Sequence, residues 1–135
     1  MTKKDGEINS ITEAAELFQL YLKDLYIEIA DKENSISINK EDLKQIYLDA
    51  AEKVGQGERT IREMKFNDSD AKGIKAILEA FRFMRKMYIA YANGQPTKAK
   101  RYFTRYLQSV EKYISIRKRH FGVPDDYEID NNESN

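Results

Sequence analysis

Apolar side chains recur at three- and four-residue steps through four stretches of the chain, and each stretch predicts an amphipathic helix. The first carries Ala14, Leu17, Phe18, Tyr21, Leu22, Leu25 and Ile29. It opens at Ser10-Ile11-Thr12-Glu13, the Ser-x-x-Glu spacing of a capping box, in which two orphan backbone donors are satisfied reciprocally. The pattern predicts a helix to Ala30, followed by a polar loop over 31–39 that holds Ile36 and Ile38.

Asn39 is placed to cap a second helix, with Glu41 and Asp42 favourable in its first turn. Leu43, Ile46, Tyr47, Ala50, Ala51 and Val54 form its inward stripe, and Gly55-Gln56-Gly57 predicts its end. Residues 58–66, with Ile61, Met64 and Phe66, predict a separate short helical turn, and Asn67-Asp68-Ser69-Asp70 a turn and capping cluster.

A third, long helix is predicted over 71–93, with Ile74, Ile77, Leu78, Phe81, Met84, Tyr88 and Tyr91 in phase. Asn93-Gly94 stops it, because Gly takes the left-handed conformation without steric cost. Thr97, after Pro96, is the expected cap of a last helix over 98–120, with Tyr102, Phe103, Tyr106, Leu107, Val110, Tyr113 and Ile114 inward. Gly122 and Pro124 close it. Two long helices joined by so short a link must form an antiparallel hairpin. The fold class is therefore all-α, a four-helix bundle-like single domain over 10–122, between a flexible N-terminus (1–9) and a disordered acidic tail (123–135).

Composition narrows the chemistry. With no Cys, disulfides, thiolate metal sites and a cysteine nucleophile are all excluded. No apolar run approaches the roughly 20 residues of a membrane helix, and no secretory signal is visible, so a cytoplasmic protein is expected. No cofactor or metal is expected. Asp68-Ser69-Asp70-Ala71-Lys72-Gly73 with Glu79 has the spacing of a calcium loop, but Lys72 would bring an ammonium to a ligand position. Gly55-Gln56-Gly57 lacks the ending of a phosphate loop and follows no strand. His120, the one histidine, has basic neighbours and suits a helix C-terminus. Glu79 and Glu111 are expected in local ion pairs. Catalysis is not expected.

The zero net charge is a cancellation. Residues 1–70 hold 10 Lys/Arg against 16 Asp/Glu, residues 71–122 hold 13 against 2, and the tail 123–135 holds 5 acids and no base. The basic residues of the last two helices, Arg82, Arg85, Lys86, Lys98, Arg101, Arg105, Lys112, Arg117, Lys118 and Arg119, are the candidate contacts for nucleic-acid phosphate or an acidic partner. In the last helix 98, 101, 105 and 112 share one side, opposite Phe103, Leu107 and Ile114. The acidic tail is placed to compete for the same stripe.

The run from Ile77 to Gly94, with Arg82-Phe83-Met84-Arg85-Lys86 at its centre, resembles the central helix of GINS subunits. Ile38-Asn39-Lys40-Glu41-Asp42-Leu43, followed by Tyr47, is similar to the opening of the second helix of that family, with Asn39 where Pro is more typical. The likeness spans residues 12–120 as a pattern of helices, without the small β domain of the family. It implies a non-catalytic subunit or accessory factor of a DNA-replication-type complex, with protein partners, the capacity to oligomerise and no membrane association. The alternative is a small phage- or plasmid-type nucleic-acid-binding protein that uses the basic hairpin.

Overall fold

A computed structural model describes residues 8–34 and 39–120, without the side chains of Lys23, Asp24, Arg119 and His120. The expectations for residues 1–7, for Ile36 and Ile38, for Gly122 and Pro124 and for the acidic tail lie outside the described residues. The order is α1 (Ile11–Glu33), α2 (Lys40–Glu63), one 3-10 turn (Asp68–Asp70), α3 (Ala71–Ala92) and α4 (Pro96–His120). Among the described residues no strand forms; Asn9 and Phe66 make an isolated bridge that ties the entry of α1 to the chain after α2.

The predicted caps close α1 and α2. The Glu13 amide donates to Ser10 Oγ at 3.2 Å and the Ser10 amide to Glu13 Oε1 at 3.1 Å, the reciprocal pair of a capping box. The Asp42 amide donates to Asn39 Oδ1 at 2.9 Å. α1 continues past Ala30 to Glu33. Lys32, in its last turn, pairs with Glu28 at 2.9 Å, and the Tyr47 hydroxyl donates to Glu33, so the extra turn has its own partners.

Three expectations about helix ends are corrected. Gly55 and Gly57 do not end α2, which runs unbroken to Glu63, so the separate turn over 58–66 does not exist. A Cβ on Gly57 would stand 2.7 Å from Cε1 of Phe81 and 3.0 Å from Cγ of Tyr21. The glycine admits rings from two other helices instead of breaking its own. Asp70 stands before α3 without a side-chain capping bond. α4 begins at Pro96, not after Thr97. Proline suits the first helical position, where its missing N–H would be an orphan in any case.

α3 is the central helix. Ile74, Ala76, Ile77, Ala80, Phe81, Met84, Met87, Tyr88, Ala90 and Ala92 are all buried along it, a wide apolar girdle that marks a helix packed on several sides. α2 and α4 run antiparallel to it on either flank: Tyr47 stacks on Tyr91 at 5.3 Å while Gly57 abuts Phe81, and Phe83 lies by Tyr102 while Gly73 lies by Ile116. α1 crosses the α2–α3 layer, with Phe18 edge-on to Phe81 at 5.5 Å. Its backbone stays apart from that of α4. Phe18 stacks on Tyr106 at 6.2 Å and Arg117 reaches Thr12 at 3.4 Å, but a groove opens between the two helices. Leu107 and Ile114 are consequently 44% and 43% exposed. Both were expected inward, as was Tyr91, which is also exposed. The 3.6-residue period gave the direction of the core and overstated how far round α4 it extends.

Candidate nucleic-acid interface

The α3–α4 hairpin fixes the candidate face. Gly94, at φ +68°, makes the turn. The Gln95 amide donates to the Ala90 carbonyl at 2.9 Å and that of Gly94 to the Tyr91 carbonyl at 3.1 Å, so the orphan carbonyls at the end of α3 are used. The hairpin then sets Arg82 and Lys86 of α3 opposite Arg105 and Lys112 of α4.

Two rings organise these cations. Phe83 and Tyr102 lie 6.5 Å apart at 24°. The Arg82 guanidinium stands 5.3 Å from the centroid of Phe83 and that of Arg105 stands 5.9 Å from the same ring. The Lys86 ammonium stands 5.7 Å from the Tyr102 centroid. Each such contact contributes about 0.5–1 kcal/mol at an exposed site, enough to favour one arrangement of an otherwise free chain. Beside the rings is an open hollow of about 280 Å³ lined by Glu79, Arg82, Arg105, Gln108, Ser109 and Lys112. Lys98 and Arg101 are exposed and continue the line of Arg105 and Lys112 by helical phase.

The remaining candidates go elsewhere. Arg85 turns to α2, where its Nε donates to the Glu58 carboxylate at 3.4 Å. Arg117 donates to Thr12 Oγ1 at 3.4 Å and to the Tyr113 hydroxyl at 3.1 Å, binding the end of α4 to α1 and to its own preceding turn. Lys118 is half-buried near the same end. The side chain of Arg119 lies outside the description. The predicted stripe is thus a shorter face of Arg82, Lys86, Lys98, Arg101, Arg105 and Lys112.

Lys32, Lys53, Arg59, Arg62 and Arg85 each have a carboxylate within 4.0 Å; among the described residues Lys40, Lys44, Lys65, Lys72, Lys75 and Lys100 do not. Among the described residues none of the six does. Among the described residues the ion pairs expected of Glu79 and Glu111 are likewise not formed. Six cations without an ion pair among the described residues, with the Gln108 amide and the Glu79 carboxylate beside three of them, offer donors for phosphate oxygens. The ring faces already carry the protein's own cations, which favours backbone contact over base stacking. Phe83 is the organising residue that the sequence pattern left out. Its signal is its position, an aromatic one residue off the Phe81–Met84–Tyr88 stripe.

The calcium-loop spacing dissolves in the structure. Ala71, Lys72 and Gly73 are the first turn of α3, and Gly73 is there because Ile11 packs against it.

Fold and face together define an all-α, four-helix protein with one cationic hairpin face. No protein-family model, curated protein or solved structure matches the chain. The likeness to GINS subunits accordingly rests on the helical pattern alone.

Proposed function

We propose that this protein is a non-catalytic accessory factor that holds the phosphate backbone of DNA along the α3–α4 face, in the manner of a component of a replication-type assembly. The observation that carries the reading is the gathering of cations about one pair of rings: Arg82 and Arg105 stand over Phe83 and Lys86 over Tyr102, none of them with a carboxylate within 4.0 Å among the described residues, whereas Lys53, Arg59, Arg62 and Arg85 are matched to acids. An unmatched cation keeps its attraction for an outside anion.

The dimensions agree. From Lys98 to Lys112 the face extends about 21 Å along α4, a length over which one DNA strand presents about six phosphates. Binding of this kind releases counterions and is sequence-independent, so specificity would come from the assembly in which the factor sits.

The test is fluorescence anisotropy with a labelled duplex at low salt, for the full chain and for Arg101→Glu with Arg105→Glu. The parent chain should bind and the double variant should not, with unchanged helical circular dichroism. Undetectable binding by the parent at low salt would remove the reading.

A further inference from the structure

We infer that the aromatic hollow at the Gly94 end of the bundle is a binding site for a small quaternary ammonium cation of the choline type. All four helices contribute there, α1 and α3 by their last turns and α2 and α4 by their first. Five rings line the hollow, Tyr26 of α1, Tyr47 of α2, Tyr88 and Tyr91 of α3 and Phe103 of α4, around a volume of about 180 Å³. Tyr47 lies nearly parallel to Tyr91, with centroids 5.3 Å apart, and to Tyr88 at 6.3 Å. Ile29, Tyr47, Met87 and Tyr88 are buried, whereas Tyr26 and Tyr91 are exposed, which gives the hollow a buried floor and an open aromatic rim.

Charge selects the ligand. Glu33 is the one charged residue of the lining, and its carboxylate accepts from the Tyr47 hydroxyl. Among the described residues it has no ion pair, and no Lys or Arg stands over any of the five rings. The rings of the α3–α4 face differ, since Phe83 and Tyr102 already carry the protein's own cations. Ring faces are negative and attract a cation, more strongly where water is excluded. The negative field of the site also reaches the phenols of Tyr47 and Tyr88, which burial and then Glu33 hold above their usual range.

What the floor lacks determines the kind of cation. A primary ammonium or a guanidinium brings N–H donors that water must release, and the side chains of Ile29 and Met87 offer no oxygen in exchange. A quaternary nitrogen has no donor to leave unsatisfied, and its methyl groups present an apolar shell to the floor. The size agrees: a cavity of about 150 Å³ takes a benzene molecule, and tetramethylammonium has fewer heavy atoms. The hollow shares no residue with the cationic face, so the two sites are independent.

Isothermal titration calorimetry on the full chain tests the assignment. The probes are choline, tetramethylammonium, glycine betaine and the uncharged isostere of choline in which a quaternary carbon replaces the nitrogen. Choline and tetramethylammonium should bind saturably, with millimolar or tighter dissociation constants. The isostere, equal in shape but without the charge, should bind about tenfold more weakly. Glycine betaine, whose carboxylate is repelled by Glu33, should also bind more weakly than choline. Tyr91→Leu should lower choline affinity about tenfold with helical circular dichroism retained, and Glu33→Gln, which keeps an acceptor for Tyr47, should lower it as well. Absence of saturable choline binding overturns the inference, as does equal binding of the isostere, which would leave only an apolar cavity. A folded Tyr91→Leu variant that binds choline like the parent overturns it too. Arg101→Glu with Arg105→Glu should bind choline unchanged, so this site and the DNA-binding face stand or fall separately.

Discussion

Among the described residues Glu58 and Arg85 form the one ion pair that joins α2 to α3: Glu58 is only 7% exposed, and its carboxylate accepts from Arg85 Nε at 3.4 Å and from Arg62 at 3.0 Å. A nearly buried carboxylate stripped of a cross-helix donor loses a charge-assisted hydrogen bond and keeps much of its desolvation cost. Arg85→Ala should therefore lower the unfolding free energy by about 1–3 kcal/mol, and Glu58→Gln, which retains an acceptor, by less. The exposed pair of Arg59 and Glu52 provides the comparison, with Arg59→Ala costing less than about 1 kcal/mol. Urea denaturation of the three variants decides it. Equal losses for Arg85→Ala and Arg59→Ala would show that the cross-helix pair has no special weight.

Gly57→Ala opposes two effects. In a helix interior the change would gain about 1 kcal/mol of propensity. Here the new methyl would meet the rings of Phe81 and Tyr21 at 2.7 and 3.0 Å, and overpacking of this kind costs about 1–3 kcal/mol. The rings are held on several sides, because Phe81 is fully buried and touches both Phe18 and Tyr21. Net destabilisation is expected, read as a lower thermal midpoint. A rise in the midpoint would mean that the glycine only weakens its helix.

This glycine also shows where the sequence was legible and where it was not. Capping boxes are local chemistry, so Ser10-Glu13 and Asn39 could be read directly, as could the left-handed stop at Gly94. A glycine that breaks a helix and one that lets another helix approach carry the same letter; only the positions of Tyr21 and Phe81 in space distinguish them. Periodicity likewise placed Leu107 and Ile114 on the apolar side of α4, but it could not show that α1 stands off and leaves that side open. Among the basic residues, linear density made Arg85 and Arg117 look like members of the face. Their tertiary partners, Glu58 and Thr12, come from helices distant in sequence, and no spacing within α3 or α4 encodes them.

Alkaline pH should destabilise the fold. Burial pushes the phenols of Tyr47, Tyr88, Tyr106 and Tyr113 above their usual range, and Glu33 adds to the effect at Tyr47 and Tyr88. The folded chain then holds protons that the unfolded chain releases near pH 10. The stability tied to these groups is fully present below that pH and is lost as pH rises toward the folded values. Thermal midpoints followed by helical circular dichroism should fall above roughly pH 10. A midpoint that does not fall above that pH would contradict the assignment.

Tyr88 permits a sharper test. Its side chain is 2% exposed and its buried hydroxyl has no hydrogen-bond partner among the described residues. A buried hydroxyl without a partner costs free energy on folding, so Tyr88→Phe should be neutral or stabilising by up to about 1 kcal/mol. The Tyr47 hydroxyl, which donates to Glu33, should behave oppositely, and Tyr47→Phe should cost about 1 kcal/mol. Chemical denaturation of the two variants side by side measures the difference. Loss of stability in Tyr88→Phe comparable to that in Tyr47→Phe would show that the hydroxyl has a partner after all.

The salt dependence of DNA binding should separate the face from the pin. If the unmatched cations each neutralise a phosphate, removing one lowers the magnitude of the salt slope by about 1. Lys112→Gln and Arg105→Gln should each do so at a cost of no more than about 1 kcal/mol of unfolding free energy, the loss for Arg105 being its contact with the Phe83 ring. Arg85→Gln should do the reverse, weakening the fold through Glu58 and leaving the slope as it was. The two outcomes rest on the same geometry: a guanidinium committed to a buried carboxylate has no charge to spare for a phosphate, whereas one poised over the Phe83 ring has. Equal slopes for Arg105→Gln and Arg85→Gln would show that pairing within the protein does not determine which cations reach the DNA.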